Sequence, residues 1–187
     1  MKLYMIRHGE SETNLAGCWT GWMDVPLTEK GIADARGVRP ILEGVSFDKI
    51  YASDLSRAGR TAEEAIPGCR YETTPLLREV NVGSFAGQPF SALTEEMRDR
   101  IADRGYGDFG GEYHESFAER VRSFFSLIEA SPYENVAAFT HAGLLHCALE
   151  VVMGIHIPRN RISCANCTVA VFEKKPSGWW LYSWINP

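Results

Sequence analysis

Arg7 and His8 stand together at the end of the apolar run Leu3-Tyr4-Met5-Ile6 and just ahead of Gly9, Glu10 and Ser11. An apolar run broken by a charged pair and a glycine reads as a strand leaving the core for a turn, which puts His8 at a strand's mouth beside a fixed cation. An imidazole next to a guanidinium is pushed toward its neutral form, and neutral imidazole carries a lone pair able to attack phosphorus. Arg7 adds a planar fork that can hold two oxygens of a phosphoryl group. Gly9, Glu10 and Ser11 are expected to open a helix whose free N–H groups face the same anion. Taken alone, these residues are as compatible with an ordinary surface pair, so the rest of the chain has to decide.

Two more strand ends carry residues of the same chemical kind. Residues 49–52 read as a strand followed by Ser53 as a cap and a helix over 54–65 that contains Arg57. Residues 136–139 read as a buried strand running into His141-Ala142-Gly143 before a helix over 144–152. Ligands of open α/β sheets bind beyond the carboxyl ends of the strands, so Arg7, His8, Arg57 and His141 can converge in one crevice.

Other elements fill in the frame. Thr28 caps a helix over 29–42 weakened by Gly31, Gly37 and Pro40, and residues 71–74 form a short strand leading into a loop over 77–87. Residues 90–104 are helical in pattern but heavily charged, and the four glycines of 105–111 imply mobility rather than a nucleotide loop. Apolar residues at helical spacing mark a helix over 116–128. Strands over 168–173 and 180–185, joined across Pro176-Ser177-Gly178, make a hairpin at the sheet edge. The expected fold is α/β: a doubly wound, mostly parallel sheet with helices on both faces, in one domain over 1–187 with a helical excursion at about 90–111.

Composition narrows the partners. Acidic residues exceed basic ones by 24 to 19 with no block of like charge, which argues against nucleic acid or an anionic membrane surface. No run approaches the roughly 20 apolar residues of a membrane span, and the first residues lack the pattern of a cleaved leader, so a cytoplasmic location is expected. Five unevenly spaced cysteines do not suggest a disulfide framework. Cys164 and Cys167 have the spacing of half a zinc site with no second pair, and read as structural thiols; His146 reads as a helix-face residue, and His114 and His156 carry no role.

The chain resembles the phosphoglycerate mutase-like branch of the histidine phosphatase superfamily. The matching pieces are Arg7-His8-Gly9-Glu10-Ser11 with Asn14, Asp24-Val25-Pro26-Leu27-Thr28 with Gly31, Ser53-Asp54-Leu55-Ser56-Arg57-Ala58 with Thr61-Ala62, and His141-Ala142-Gly143, in family order and across essentially the whole length. The resemblance implies that His8 takes the phosphoryl group onto its ring and passes it to water. It implies that Arg7, Arg57 and His141 surround the phosphoryl oxygens, with His8 kept neutral by the arginines and His141 charged by the neighbouring phosphate. Glu79, within Arg78-Glu79-Val80-Asn81-Val82-Gly83, matches the family's proton donor; without that flanking motif it reads as a solvated loop charge. Asn14, Thr20, Gly21 and Ala142 match secondary substrate contacts, while Trp19 and Trp22 read first as packed loop aromatics. Neither a cofactor nor a metal is implied.

The family divides into mutases, which return the phosphoryl group to the same small substrate, and phosphatases, which give it to water. Mutases resembling this chain follow their acid with an arginine and a tyrosine and carry a further basic segment; here those two positions are Val80 and Val82. Hydrolysis of a small phosphorylated metabolite is therefore expected, and the size and closing hairpin resemble the branch's small phosphatases, the α-ribazole phosphatases included. A phosphoglycerate mutase is the alternative, and a non-catalytic phospho-ligand binder is a third reading that the full set of polar residues disfavours. Oligomeric state is not legible.

Overall fold

The computed structural model describes residues 1–158 and 161–187. Its centre is β1 (Lys2–Arg7), flanked by β4 (Asn135–Thr140) on one side and β5 (Val169–Lys175) on the other. With β2 (Lys49–Ser53), β3 (Glu72–Thr74) and β6 (Gly178–Ile185), the described residues form a six-stranded sheet in the order β3-β2-β4-β1-β5-β6. The first four strands of that order run parallel, and β5 and β6 add an antiparallel hairpin at one edge. Leu3, Met5 and Ile6 in β1, and residues 136–139 in β4, are wholly buried, as continuous apolar strands covered on both faces must be.

Helices supply those covers. On one face α2 (Glu29–Gly37) and α4 (Ser56–Ala65) bring Ala35, Ala58, Ala62 and Ala65 against Ile6, Ala52 and Phe139. On the other, α6 (His114–Glu129) and α7 (Ala142–Met153) bring Phe117, Val121, Phe124, Leu144 and Leu145 against Leu3, Met5 and Ala138. All five apolar positions expected to mark the helix over 116–128 are buried. No helix among the described residues is long and apolar enough to cross a membrane.

Register is what positions the site. β1 pairs β4 from Lys2↔Asn135 to Arg7↔Thr140, so the next residue on each strand, His8 and His141, leaves the sheet at the same level. The His8 amide donates to the Thr140 carbonyl at 2.9 Å and extends the ladder by one step.

Several expectations need correction. The helix over 29–42 is two pieces, α2 and α3 (Arg39–Leu42), because Pro40 has no N–H for a continuous ladder. The helix after β2 starts at Ser56, and Ser53 is not its cap; Ser53 Oγ accepts from the Leu55 amide, while the Ser56 amide and hydroxyl both donate to Asp24 Oδ1 at 2.8 and 2.7 Å. Residues 90–92 are one 3₁₀ turn separate from α5 (Glu95–Arg104). Gly107 and Gly111, two of the four glycines of 105–111, have a packing reason that the sequence did not show. A Cβ at Gly111 would lie 2.2 Å from the Asn81 carbonyl oxygen, where two loops touch, and one at Gly107 would lie 2.3 Å from the Tyr113 ring, so these two positions are glycine for want of space.

A second close approach fixes the turn after β1. A Cβ on Gly9 would lie 2.2 Å from the Gly31 carbonyl oxygen, and one on Gly31 would lie 2.0 Å from that of Glu10. We expect Gly31→Ala to destabilise by about 1–3 kcal/mol through overpacking, whereas Gly37→Ala, whose Cβ meets nothing within 4 Å, is neutral or stabilising by up to about 1 kcal/mol. Urea unfolding of the two variants checks the contrast.

Candidate active site

His8 sits just past the end of β1 and is only 4% exposed. Its Nδ1 lies 2.6 Å from the Gly9 carbonyl oxygen, which can only accept, so the ring proton is on Nδ1 and Nε2 carries the lone pair. Gly9 in turn donates its amide to Thr61 Oγ1 at 3.1 Å, tying the turn to α4. From the other side, Asn166 Nδ2 donates to the His8 carbonyl at 3.2 Å and to Asn14 Oδ1 at 3.1 Å.

Arg57, in the first turn of α4, reaches back under this ring. Its Nε donates to His8 Nε2 at 3.3 Å, and its two terminal nitrogens donate to the carbonyls of Met23 and Gly21 at 2.8 and 3.0 Å. Burial, with Arg7 nearby, lowers its pKa to about 10, so it remains charged at neutral pH. Arg7 donates one terminal nitrogen to the Cys164 carbonyl at 2.5 Å, and its buried Nε has no partner among the described residues. The Cys164-to-Cys167 loop thus braces both Arg7 and His8 through its backbone and Asn166.

His141 is the N-cap residue of α7 and is fully buried, its ring centroid 5.1 Å from that of His8. Neither of its ring nitrogens has a partner among the described residues. Both imidazoles are held well below the usual histidine range, chiefly by burial and then by Arg57. Both therefore favour the neutral form in the protein by itself, and the charge expected on His141 depends on the neighbouring phosphate anion.

Glu79 completes the ring of groups from the loop after β3. Its Oε1 accepts from the Val80 amide at 2.8 Å and its Oε2 from the Gly143 amide at 3.1 Å, at the N-terminus of α7. A Cβ at Gly143 would lie 2.2 Å from Oε1, so the carboxylate can reach this helix end only over a glycine.

These groups enclose a cavity of about 150 Å³ lined by Arg7, His8, Asn14, Thr20, Gly21, Arg57, Glu79, Ala142 and Gly143, with Cys18, Trp19, Val80, Val82 and Phe90 as its outer walls. His141 is not on its surface but backs the His8 ring. A larger groove of about 590 Å³, lined by His114, His146 and His156 among others, shares only Gly143 with the cavity and holds neither Arg7, Arg57 nor His8, so the smaller space is the candidate site.

The anion-facing helix lies elsewhere than expected. The turn after Gly9 makes only α1 (Glu12–Leu15), whose Glu12 and Asn14 amides are taken by the Pro26 carbonyl and Ser11 Oγ; it is α7 that points its N-terminus at the cavity. Thr20 Oγ1 bonds Thr13 Oγ1 at 2.5 Å, and Gly21 serves the site by the carbonyl that holds Arg57. Trp19 meets the ring of Phe90 edge-on at 4.9 Å, while Trp22 donates to the Glu79 carbonyl and lies under Arg78. Four supports had no individual signal as site residues: Asp24, Asn166, Glu112 and Arg120.

The family model for the histidine phosphatase superfamily (branch 1) matches residues 3–187. The chain belongs to this superfamily. Among histidine phosphatase relatives, an adenosylcobalamin/alpha-ribazole phosphatase of Salmonella typhimurium is 33% identical over 153 residues, 78% of this chain and 76% of its own length. The crystal structure of the alpha-ribazole phosphatase from Shigella flexneri is 25% identical with a TM-score of 0.85, covering 100% of this chain and 96% of that one. A phosphoglycerate mutase from Thermus thermophilus is 27% identical with a TM-score of 0.76, covering 100% of this chain and 99% of that one. Both name types occur at similar similarity, so the fold and the superfamily are common ground while the reaction is not.

In this member of the superfamily the two lowered imidazoles tie stability to pH. The unfolded chain takes up protons on these histidines at ordinary pH values, and the folded chain does so only further down. Their contribution is therefore complete above the usual histidine range and falls as the pH drops below it, by up to about 1.4 kcal/mol per pH unit for each. We expect the protein without added anions to lose thermal stability steeply between about pH 7 and 5. The slope should be shallower by about one proton in His141→Gln, and inorganic phosphate should stabilise more at the acid end. Thermal unfolding across a pH series reads all three.

Proposed function

We propose that the protein is a phosphomonoesterase that hydrolyses a small phosphorylated metabolite through a phosphohistidine on His8. The observation that carries this reading is the Nδ1–H to Gly9 carbonyl bond, which leaves a proton-free Nε2 beside two guanidinium groups that no carboxylate neutralises by direct contact. In the first half-reaction Nε2 attacks phosphorus in line, the ester P–O bond breaks, and the leaving oxygen takes a proton from the Glu79 carboxyl group. In the second, water attacks the same phosphorus, gives its proton to the Glu79 carboxylate, and the P–N bond's electrons return to Nε2. Arg7 and Arg57 hold the equatorial oxygens throughout, the α7 N-terminus adds a further donor, and His141 supports the His8 ring from behind.

Two features favour water over a second substrate alcohol. Val80 and Val82 occupy the positions where mutases of this type carry an arginine and a tyrosine. The outer walls, Cys18, Trp19, Val80, Val82 and Phe90, bear no charge to grip a carboxylate once the arginines hold the phosphoryl group. An uncharged organic part suits those walls, and α-ribazole phosphate, in line with the names of the Salmonella and Shigella relatives, heads the candidates to be screened with phosphoglycerates.

Hydrolysis of p-nitrophenyl phosphate tests the reaction. We expect turnover that survives EDTA, and a loss on the order of 10³-fold or more in His8→Ala with folding intact. Near-normal hydrolysis by that variant would remove His8 from the nucleophile's role. We expect Glu79→Gln to slow phenyl phosphate, a poor leaving group, by roughly 10²-fold or more while barely affecting p-nitrophenyl phosphate.

A further inference from the structure

Arg120, on α6, does not line the cavity, yet all of its donors are used directly behind it. Its Nε and one terminal nitrogen donate to Glu112 Oε1 and Oε2 at 2.9 and 2.8 Å. The remaining donors go to three backbone carbonyls of the acid loop: Leu76 at 3.1 Å, Arg78 at 2.8 Å and Glu79 at 3.0 Å. Five hydrogen bonds thus use the five N–H groups a guanidinium possesses. Glu112 closes the other end of the same stretch, its Oε2 accepting from the Asn81 amide at 2.7 Å. The pair is only 13% and 15% exposed, so its geometry is neither loosened nor screened as a surface ion pair would be.

We infer that Arg120, locked by Glu112, is the positioning residue for Glu79: it clamps residues 76–81 so that the carboxyl group stays over the α7 N-terminus and within reach of the leaving oxygen. The inference rests on the reading of Glu79 as proton donor. The loop has no regular strand or α-helix of its own to hold it, and the arginine supplies donors where a ladder would otherwise supply partners. Lysine, with three donors on one nitrogen, cannot span three carbonyls and a carboxylate at once. Arg120 is also among the cations that keep His141 neutral, so the clamp sits close to the whole constellation.

The test compares two leaving groups. Arg120→Lys keeps the charge beside Glu112 but not the fork; its kcat on phenyl phosphate should fall by roughly 10- to 100-fold, against less than about 3-fold on p-nitrophenyl phosphate, with KM little changed. In a Glu79→Gln background the same substitution should add no further leaving-group-selective loss. Should Arg120→Lys fail to fold, Arg120→Met combined with Glu112→Met removes both charges together and carries the same comparison. Equal slowing of the two substrates, or a selective loss that persists in the Glu79→Gln background, overturns the clamp. If Glu79→Gln itself slows both substrates equally, the proton-donor reading fails and the clamp falls with it; a selective Glu79→Gln beside a non-selective Arg120→Lys overturns the clamp alone.

Discussion

The structure turns on a guanidinium buried against an imidazole without a carboxylate in contact. Arg57 is 1% exposed, and its direct partners are His8 and two backbone carbonyls. Taking a cation out of water is costly, and carbonyl dipoles offset only part of that cost. The remainder is what the site uses. A charged Arg57 donating to His8 Nε2 keeps that nitrogen from taking a proton, so in the proposed mechanism an arriving phosphoryl group has only to displace this hydrogen bond, and the same unneutralised charge favours an anion there. A carboxylate in that place would stabilise the protein by itself and remove both effects.

The remaining arginines around the site follow the opposite rule. Arg78 makes a bidentate pair with Asp54 at 2.8 and 2.6 Å, and Arg120 makes one with Glu112. Asp24 neutralises no arginine by contact and instead caps α4, so the helix carrying Arg57 is anchored by the same loop whose Gly21 and Met23 carbonyls hold its guanidinium. Cations that support are paired and cations that bind are left open, which is how a chain of net charge -5 presents a positive cradle.

Much of this was legible in the chain. Strand ends could be read from apolar runs that stop at charged residues, and the rule that parallel sheets bind at those ends gathered Arg7, His8, Arg57 and His141 before any contact was known. What could not be read depends on separation. Asp24 is 32 residues from Ser56, and Arg120 is 41 from Glu79. One signal was available: Phe117, Val121 and Phe124 lie on the buried stripe of α6, and position 120 falls three after the first and four before the last, on that stripe. An arginine on an apolar face has to find partners inside, although periodicity alone does not say which. Gly111 was not legible for the same reason, since a contact with Asn81 and Gly83 and mobility call for the same residue type.

The site thus combines two kinds of rigidity. The phosphoryl cradle is set by β1 and β4, whose register is over-determined by buried residues on both faces, because a slip of one residue would turn Leu3 and Ile6 to opposite sides. Glu79, the proposed proton donor, stands on a loop, where ordering costs chain entropy at every residue. It gains order only from distant groups: the Arg120 fork below, the Trp22 ring donating to its carbonyl, and the Gly143 amide holding its carboxylate. That last contact also sets a competition at the α7 N-terminus, where Glu79 and a bound phosphoryl group are drawn to one positive helix end. In the proposed mechanism the carboxyl group therefore gives its proton to the leaving oxygen from the same helix end that the phosphoryl group approaches.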